Sequence, residues 1–214
     1  MDFSLRTVDT KEKKIVFNLL TAAAKTLAKK KINQWQYWQN PPIEKVKWVE
    51  EGIEKKEYFF IENISGQIMG VVRVANNDLL YWGVMNDKSK YIHSLIIHEE
   101  FSGHGLGIKV VDKIKEEAIL NNVEYLRLDC DCTNKKLCKY YINQGFEQVG
   151  QKQLSLGKYN LYQQTPLQKQ MFLLFRPLMK KELHLCWNQY RPIKKRQLEH
   201  RPRSRRHGGR RQRH

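Results

Sequence analysis

Residues 91–107 read Y-I-H-S-L-I-I-H-E-E-F-S-G-H-G-L-G, and this stretch decides how the rest of the chain is read. Its opening is an apolar run suited to a buried strand. A glycine loop comes next, and a segment of helical periodicity begins at once. That order leaves backbone N–H groups unpaired at the end of a strand and at a helix N-terminus, where the helix dipole also favours negative charge. Such a corner is suited to holding phosphate.

Working outward toward the N-terminus, residues 3–8 suit a short strand. Thr10 opens a helix toward Lys30 in which Ile15, Leu19, Leu20, Ala23 and Leu27 recur at helical spacing. Residues 32–40 carry Trp35, Tyr37 and Trp38, which either line a substrate pocket or cap the core between two helices. Pro41-Pro42 then breaks the chain ahead of a second helix over 43–55. Residues 57–62 and 67–74 form an antiparallel hairpin through Asn63-Ile64-Ser65-Gly66, and 79–82 extends or follows it.

Toward the C-terminus, a helix over 105–121 presents Ile108, Val111, Ile114 and Ala118 inward. A strand at 125–131 comes next, then a short helix over 134–144 stopped by Gly145, and strands at 146–153 and 158–163. Strand, two helices, a meander and then alternating strands and helices describe a mixed α/β sheet with one parallel crossover.

With 214 residues and 41% hydrophobic content, the chain can bury one sizeable core. The net charge of +17 is unevenly placed: residues 1–164 carry 24 basic and 20 acidic side chains, against 15 and 2 in residues 165–214. The excess therefore belongs to the tail, where arginine replaces lysine and the composition predicts disorder from about Lys194 onward. Two readings of this tail stand. It makes weak contact with RNA or another polyanion, or it is not ancestral to the domain. Four cysteines without a basic-then-apolar leader lead us to expect a reducing, cytoplasmic setting. The longest apolar run of the tail, residues 171–175, is far short of the ~20 residues needed to cross a bilayer, so no membrane association is expected.

The glycine loop Ser102-Gly103-His104-Gly105-Leu106-Gly107 lacks the GK[ST] of nucleoside-triphosphate loops, so its meaning depends on the residues C-terminal to it. Leu126-Arg127-Leu128-Asp129-Cys130 ends a strand, and Asn134, Leu137, Tyr140-Tyr141 and Gly145-Phe146 come after it. With these in place the chain resembles the GNAT acyltransferase superfamily. It matches the coenzyme A loop Arg/Gln-x-x-Gly-x-Gly/Ala and the later Asn…Tyr…Gly-Phe segment, including the seven-residue step from Asn134 to Tyr141. The likeness runs from about Phe3 to Tyr162, so 1–164 is expected to be the acetyltransferase domain and 165–214 to lie outside it. Ser102 departs from the pattern, standing where the family usually has Arg or Gln.

The resemblance implies a mixed, mainly antiparallel central sheet with one splayed parallel strand pair and helices on both faces. It also implies an N-acetyltransferase that uses acetyl-coenzyme A as co-substrate and no metal, acting on a small-molecule or protein amine as a monomer or homodimer. In that scheme the pantetheine arm lies between strands 91–98 and 125–131, and the Ile97 N–H polarises the thioester carbonyl. Backbone groups of Ser102, Gly103, His104, Gly105, Leu106 and Gly107 hold the diphosphate. Asn134 bonds the pantetheine or orders its corner, and Tyr141 donates its proton to the departing thiolate.

His93, four residues before Ile97 and by period two on the same strand face, is the candidate base; the alternatives are a hydrogen-bonded core histidine and deprotonation through a chain of water. Asp129 and Asp131 either face the acceptor or end their strand in solvent. Cys130 and Cys132 share a strand face without zinc-ligand partners. The acceptor is expected to be set by residues 32–55 and 76–90. The competing expectation is a non-catalytic scaffold whose basic tail carries the function.

Overall fold

The computed structural model describes residues 2–155 and 157–166. The basic tail and its expected polyanion contact therefore lie outside the described residues, apart from Thr165 and Pro166. Seven strands, β1 (Phe3–Thr7), β2 (Tyr58–Asn63), β3 (Ile68–Ala75), β4 (Ser89–Ile97), β5 (Tyr125–Asp131), β6 (Glu147–Leu154) and β7 (Gly157–Gln164), form one sheet in the order β1-β2-β3-β4-β5-β7-β6. Every neighbouring pair is antiparallel except β4 and β5.

Four α-helices cover the sheet: α1 (Lys13–Lys29), α2 (Ile43–Glu54), α3 (Leu106–Leu120) and α4 (Lys135–Asn143). The expected order of elements holds. The exception is 79–82, which is a turn closed by the Trp82 N–H on the Asp78 carbonyl and the Gly83 N–H on the Leu79 carbonyl.

Each face of the sheet carries its own core. Val16, Leu20 and Ala24 of α1 and Val49 and Ile53 of α2 pack against Tyr58, Phe60 and Val71. On the other face Val110, Val111 and Ile114 of α3 and Tyr141 of α4 pack against Met69, Leu126, Leu128 and Tyr162. Helix α1 keeps its expected period and buries Leu19 and Leu20 as expected, but Val16 and Ala24 take the inward places expected of Ile15 and Ala23. Val16 is fully buried, whereas Ile15 is 37% exposed, because two adjacent apolar residues satisfy the same spacing. Ile108 of α3 is likewise exposed, and Leu106 and Val110 take the inward positions.

The centre of the sheet is irregular in a way that shapes everything near it. Strand β4 pairs Ile96 with Val71 and His93 with Arg73, so Ser94 and Leu95 together face the single residue Val72. This is a β-bulge, with Ser94 in the left-handed region at φ 50°. An extra residue reverses the alternation of side chains beyond it. Ile97 therefore packs toward the α3 and α4 core, whereas His93 sits on the opposite face, its ring 5.6 Å from that of Trp48. The expectation that His93 and Ile97 share a face is corrected by this bulge. Gly70 pairs with Ile97 beside it, and a Cβ on Gly70 would collide with the Ile96 carbonyl oxygen, so only glycine allows β3 to approach so closely there.

Parallel pairing of β4 with β5 runs only from Ser89 with Tyr125 to Ile92 with Leu128, although both strands continue. Past the bulge β4 stays with β3, and β5 stays with β7 as far as Asp131. The two strands consequently splay. The His98 N–H donates to the Met69 carbonyl at 2.8 Å, so by strand alternation the Ile97 N–H turns away from β3 and toward the opening.

A buried ion pair braces the face of β3 that packs on α2. The Arg73 guanidinium donates to Glu57 Oε2 at 2.7 and 3.1 Å and to the Trp48 carbonyl at 2.9 Å, and it stacks 4.0 Å from the Trp48 ring. Both charged side chains are 7% exposed. Removing one partner of such a pair leaves an uncompensated buried charge, at a cost of about 3–5 kcal/mol. Arg73→Met should therefore lose about that much stability in urea denaturation, and Arg73→Met combined with Glu57→Met should recover part of it. A double variant no more stable than Arg73→Met would show that the pair's charge is not what the fold depends on.

Candidate active site

The splay opens a cleft of about 420 Å³ that reaches both faces of the sheet. His93, Trp48 and Tyr81 line it from the α1 and α2 side, and Leu137 and Tyr141 from the α4 side. Ile97, Ser102 and Asn134 border the part between. Of the residues expected to act, His93, Ile97, Ser102, Asn134 and Tyr141 thus meet at one cavity.

Gly103, His104, Gly105, Leu106 and Gly107 do not line it. They form the adjoining loop and the first turn of α3, where Gly103 and Gly105 take φ values of 85° and 73°. Gly105 caps the helix without any side-chain bond, so the N–H groups of Leu106 and Gly107 are left for an outside acceptor. His98 and His104 are both exposed.

Asn134 is the N-cap of α4: its Oδ1 accepts from the Leu137 N–H at 3.1 Å, and its Nδ2 donates to Gln34 Oε1 at 2.7 Å. Tyr141 is 8% exposed and packs edge-on against Tyr140 and Phe146, with ring centroids at 5.3 and 5.9 Å. Burial, with smaller contributions from Cys130 and Tyr140, raises its pKa well above the ordinary phenol value, so it rests protonated. The Cys130 and Cys138 sulfurs lie 3.5 Å apart, and burial raises the Cys130 thiol, which suits packing better than nucleophilic attack. Cys132 falls just past the end of β5.

The α1 and α2 side of the cleft holds a group that sequence reading reached only in part. His93 lies beside two carboxyls, with Nε2 3.5 Å from Asp78 Oδ2 and Nδ1 3.6 Å from Asp129 Oδ1. Asp129 thus faces the cleft beside His93, and Asp131, which also lines the cleft, closes a turn by accepting from Thr133. Burial, aided by the Arg73 and Lys45 charges, lowers His93 to about 3, so its imidazole is neutral at physiological pH. Burial raises Asp129 well above its ordinary value, and it raises Asp78 too.

These three side chains offer ligand atoms all within 4.8 Å of one another, and no other trio of His, Cys, Asp or Glu does so among the described residues. The carboxyl–nitrogen distances of 3.5 and 3.6 Å are longer than metal–ligand bonds or good hydrogen bonds, so the three groups are neighbours without being bonded.

Asp78 and Tyr81 sit on the loop between β3 and β4. Asp78 Oδ1 accepts from the Tyr81 N–H at 3.1 Å, which fixes the turn. The loop is tied to β5 by Arg127, whose guanidinium grips both Asp87 oxygens at 2.7 Å and stacks 4.9 Å from Trp82. Arg127 also donates to Gln163 at 2.8 Å and to the Tyr91 hydroxyl at 3.1 Å. Nothing in the period of residues 76–90 marks Asp78, and its one signal in the sequence is that it falls in the segment expected to set the acceptor. Of the early aromatics, Trp38 is core, and Trp35 and Tyr37 are half-buried beside the cleft. The core reading thus holds for Trp38, and Trp35 and Tyr37 border a cavity.

A model of the acetyltransferase (GNAT) family matches residues 24–146 of the sequence. The chain belongs to the GNAT acetyltransferase family. As a GNAT acetyltransferase it is an acetyl-coenzyme A-dependent acyltransferase. It is 25% identical over 139 residues to the uncharacterised N-acetyltransferase YesJ of Bacillus subtilis, covering 63% of this chain and 76% of that protein. Its fold matches a GNAT-family acetyltransferase of Listeria monocytogenes with a TM-score of 0.64 at 24% identity, covering 76% of this chain and 94% of that one. It also matches the aminoglycoside acetyltransferase AAC(6')-Ib, solved with coenzyme A, with a TM-score of 0.60 at 19% identity, over 82% and 99% of the two chains. No helix among the described residues is long and apolar enough to cross a membrane.

A carboxyl whose pKa is higher in the folded than in the unfolded protein contributes its full stability below about pH 4. It loses about 1.4 kcal/mol for each pH unit above that, until the folded value is reached. Asp129 is such a group. Asp129→Asn should therefore gain stability relative to the parent as pH rises from 4.5 to 7.5, measured by urea midpoints across that range. A difference that does not change with pH would show that Asp129 titrates normally.

Proposed function

We propose that this acetyltransferase moves the acetyl group of acetyl-coenzyme A directly onto a primary amine, without an acyl-enzyme intermediate. The observation that carries this reading is the cleft between β4 and β5, which brings an acid on one face of the sheet to a base on the other. The pantetheine arm would lie in the splay, and the diphosphate on the N–H groups of residues 102–107, where backbone rather than the missing Arg or Gln does the holding. Asn134 would exchange its bond to Gln34 for one to the pantetheine.

The amine nitrogen attacks the thioester carbon, and the carbonyl oxygen gathers charge that the Ile97 N–H stabilises. Neutral His93 takes a proton from the attacking amine, and the Asp78 and Asp129 carboxyls 3.5 and 3.6 Å from its ring nitrogens would stabilise the imidazolium that forms. As the carbon–sulfur bond breaks, the thiolate receives the proton of Tyr141, which burial keeps in its acid form. The proton gained by His93 then returns through solvent to restore the tyrosine. The neighbouring aminoglycoside enzyme supports an amine acceptor as a class and no particular one.

Coenzyme A release tests this, with acetyl-coenzyme A binding followed separately as thermal stabilisation. At a hundredfold excess over Kd, the carrier should add about 2.7 kcal/mol to stability in parent and variants alike. Tyr141→Phe should lower kcat about 10²–10⁴-fold. His93→Ala should lose a similar factor with a strongly basic alkylamine, and much less with an amine that is already neutral at the assay pH. Full turnover in Tyr141→Phe, or an equal deficit of His93→Ala on both amines, would overturn the corresponding role.

A further inference from the structure

The inner end of the cleft bears on what amine it takes. Asp78 is 93% buried by its side chain, and its Oδ2 has no hydrogen-bond partner in the protein. The nearest donor, His93 Nε2 at 3.5 Å, is too far for a good bond. A buried carboxylate oxygen left this way is costly unless a cation meets it.

The charges around it can be counted. At His93, Arg73 is matched by Glu57 at 2.7 Å, which leaves Asp78 and Asp129 against Lys45, the cation that acts on both; Lys30, Glu99 and Asp131 line the cleft elsewhere. Lys45, on the first turn of α2, lies 5.3 Å over the Tyr37 ring and 6.0 Å over the Trp48 ring, and its charge acts on both carboxyls. A bound ammonium favours the ionised form of both acids against the burial that raises them, and with Lys45 one negative charge then remains, which that one ammonium neutralises. A second ammonium would meet Lys45.

The walls around that charge are apolar and ring-shaped. Tyr81 and Tyr159 meet edge to face with centroids 5.1 Å apart, Trp48 stands edge-on to His93 at 5.6 Å, and Leu19, Ala23 and Leu80 complete the enclosure. Aromatic edges and faces of this kind favour a cation next to an apolar body.

We infer that the acceptor is a small monoamine, its single ammonium seated between Asp78 and Asp129 and its apolar, ring-sized body against Tyr37, Trp48, Tyr81 and Tyr159. Lys45 is then a specificity-determining residue that rejects a second ammonium. This rests on the acetyl-transfer reading, and it identifies the class of amine that reading leaves open.

The test uses an arylalkyl monoamine such as phenethylamine and an aliphatic diamine and triamine such as putrescine and spermidine. Each is measured both as substrate, by coenzyme A release, and as ligand of the coenzyme A-bound protein, by calorimetry. The monoamine should exceed the diamine and triamine at least tenfold in kcat/KM and in affinity. Asp78→Asn should weaken monoamine binding at least tenfold while stabilisation by acetyl-coenzyme A is unchanged. Lys45→Gln should narrow the gap between diamine and monoamine at least tenfold.

A preference for the diamine or triamine, or a ratio unmoved in Lys45→Gln, overturns the inference while leaving the transferase reading intact. Monoamine binding in the expected order without turnover of any amine overturns the transferase reading and leaves the ammonium site standing.

Discussion

Two strands that begin as hydrogen-bonded neighbours and then part leave backbone groups of the sheet's own centre without partners, and this molecule is organised around that parting. Strand β4 pairs with β5 only as far as Ile92 and Leu128. Beyond that point it is held by β3 through the bulge at Ser94 and the close approach that Gly70 permits. Strand β5 is held by β7 over the whole stretch from Leu126 to Asp131. Each strand is fully occupied on its outer side, so the gap cannot close without unpairing one of those outer ladders. The cleft is therefore a consequence of sheet pairing rather than of a flexible loop, and it connects two faces that each bring different chemistry.

What the cleft contains runs against the stability of the fold. Asp129 and Asp78 are raised by burial, and His93 is kept neutral by it, so all three are less comfortable folded than in water. Such groups persist where rigid surroundings hold them. The Arg73–Glu57 pair braces the Trp48 wall, and the Arg127–Asp87 pair pins the loop that carries Asp78 and Tyr81. Both ion pairs lie behind the cleft rather than in it. Their role in the proposed reaction is to fix geometry that a 1 Å looseness would spoil.

The fold is most legible in the sequence where one physical signal dominates. The glycine loop after an apolar run, and the step from Asn134 to Tyr141, locate the centre of the sheet and the α4 side of the cleft. Element order follows from periodicity alone. Periodicity misplaces Ile15 and Ile108 because adjacent apolar residues satisfy a helical period equally well, and only packing chooses between them. It puts His93 on the face of Ile97 because period two assumes an unbroken strand, and Y-I-H-S-L-I-I gives no sign of its extra residue. Asp78 is invisible to it because a turn residue has no period, and its position depends on Asp87 meeting Arg127 across 40 residues of chain.

The account stands on acetyl-coenzyme A entering the opening between β4 and β5. The most direct measurement is a crystal structure of the protein with that carrier bound. The account predicts the pantetheine lying between residues 93–97 and 129–134, with the thioester oxygen within hydrogen-bonding distance of the Ile97 N–H and the sulfur facing the Tyr141 hydroxyl. Strands β4 and β5 hydrogen-bonded to each other from Ser89 through Ile97, or the carrier bound anywhere else on the molecule, would contradict it.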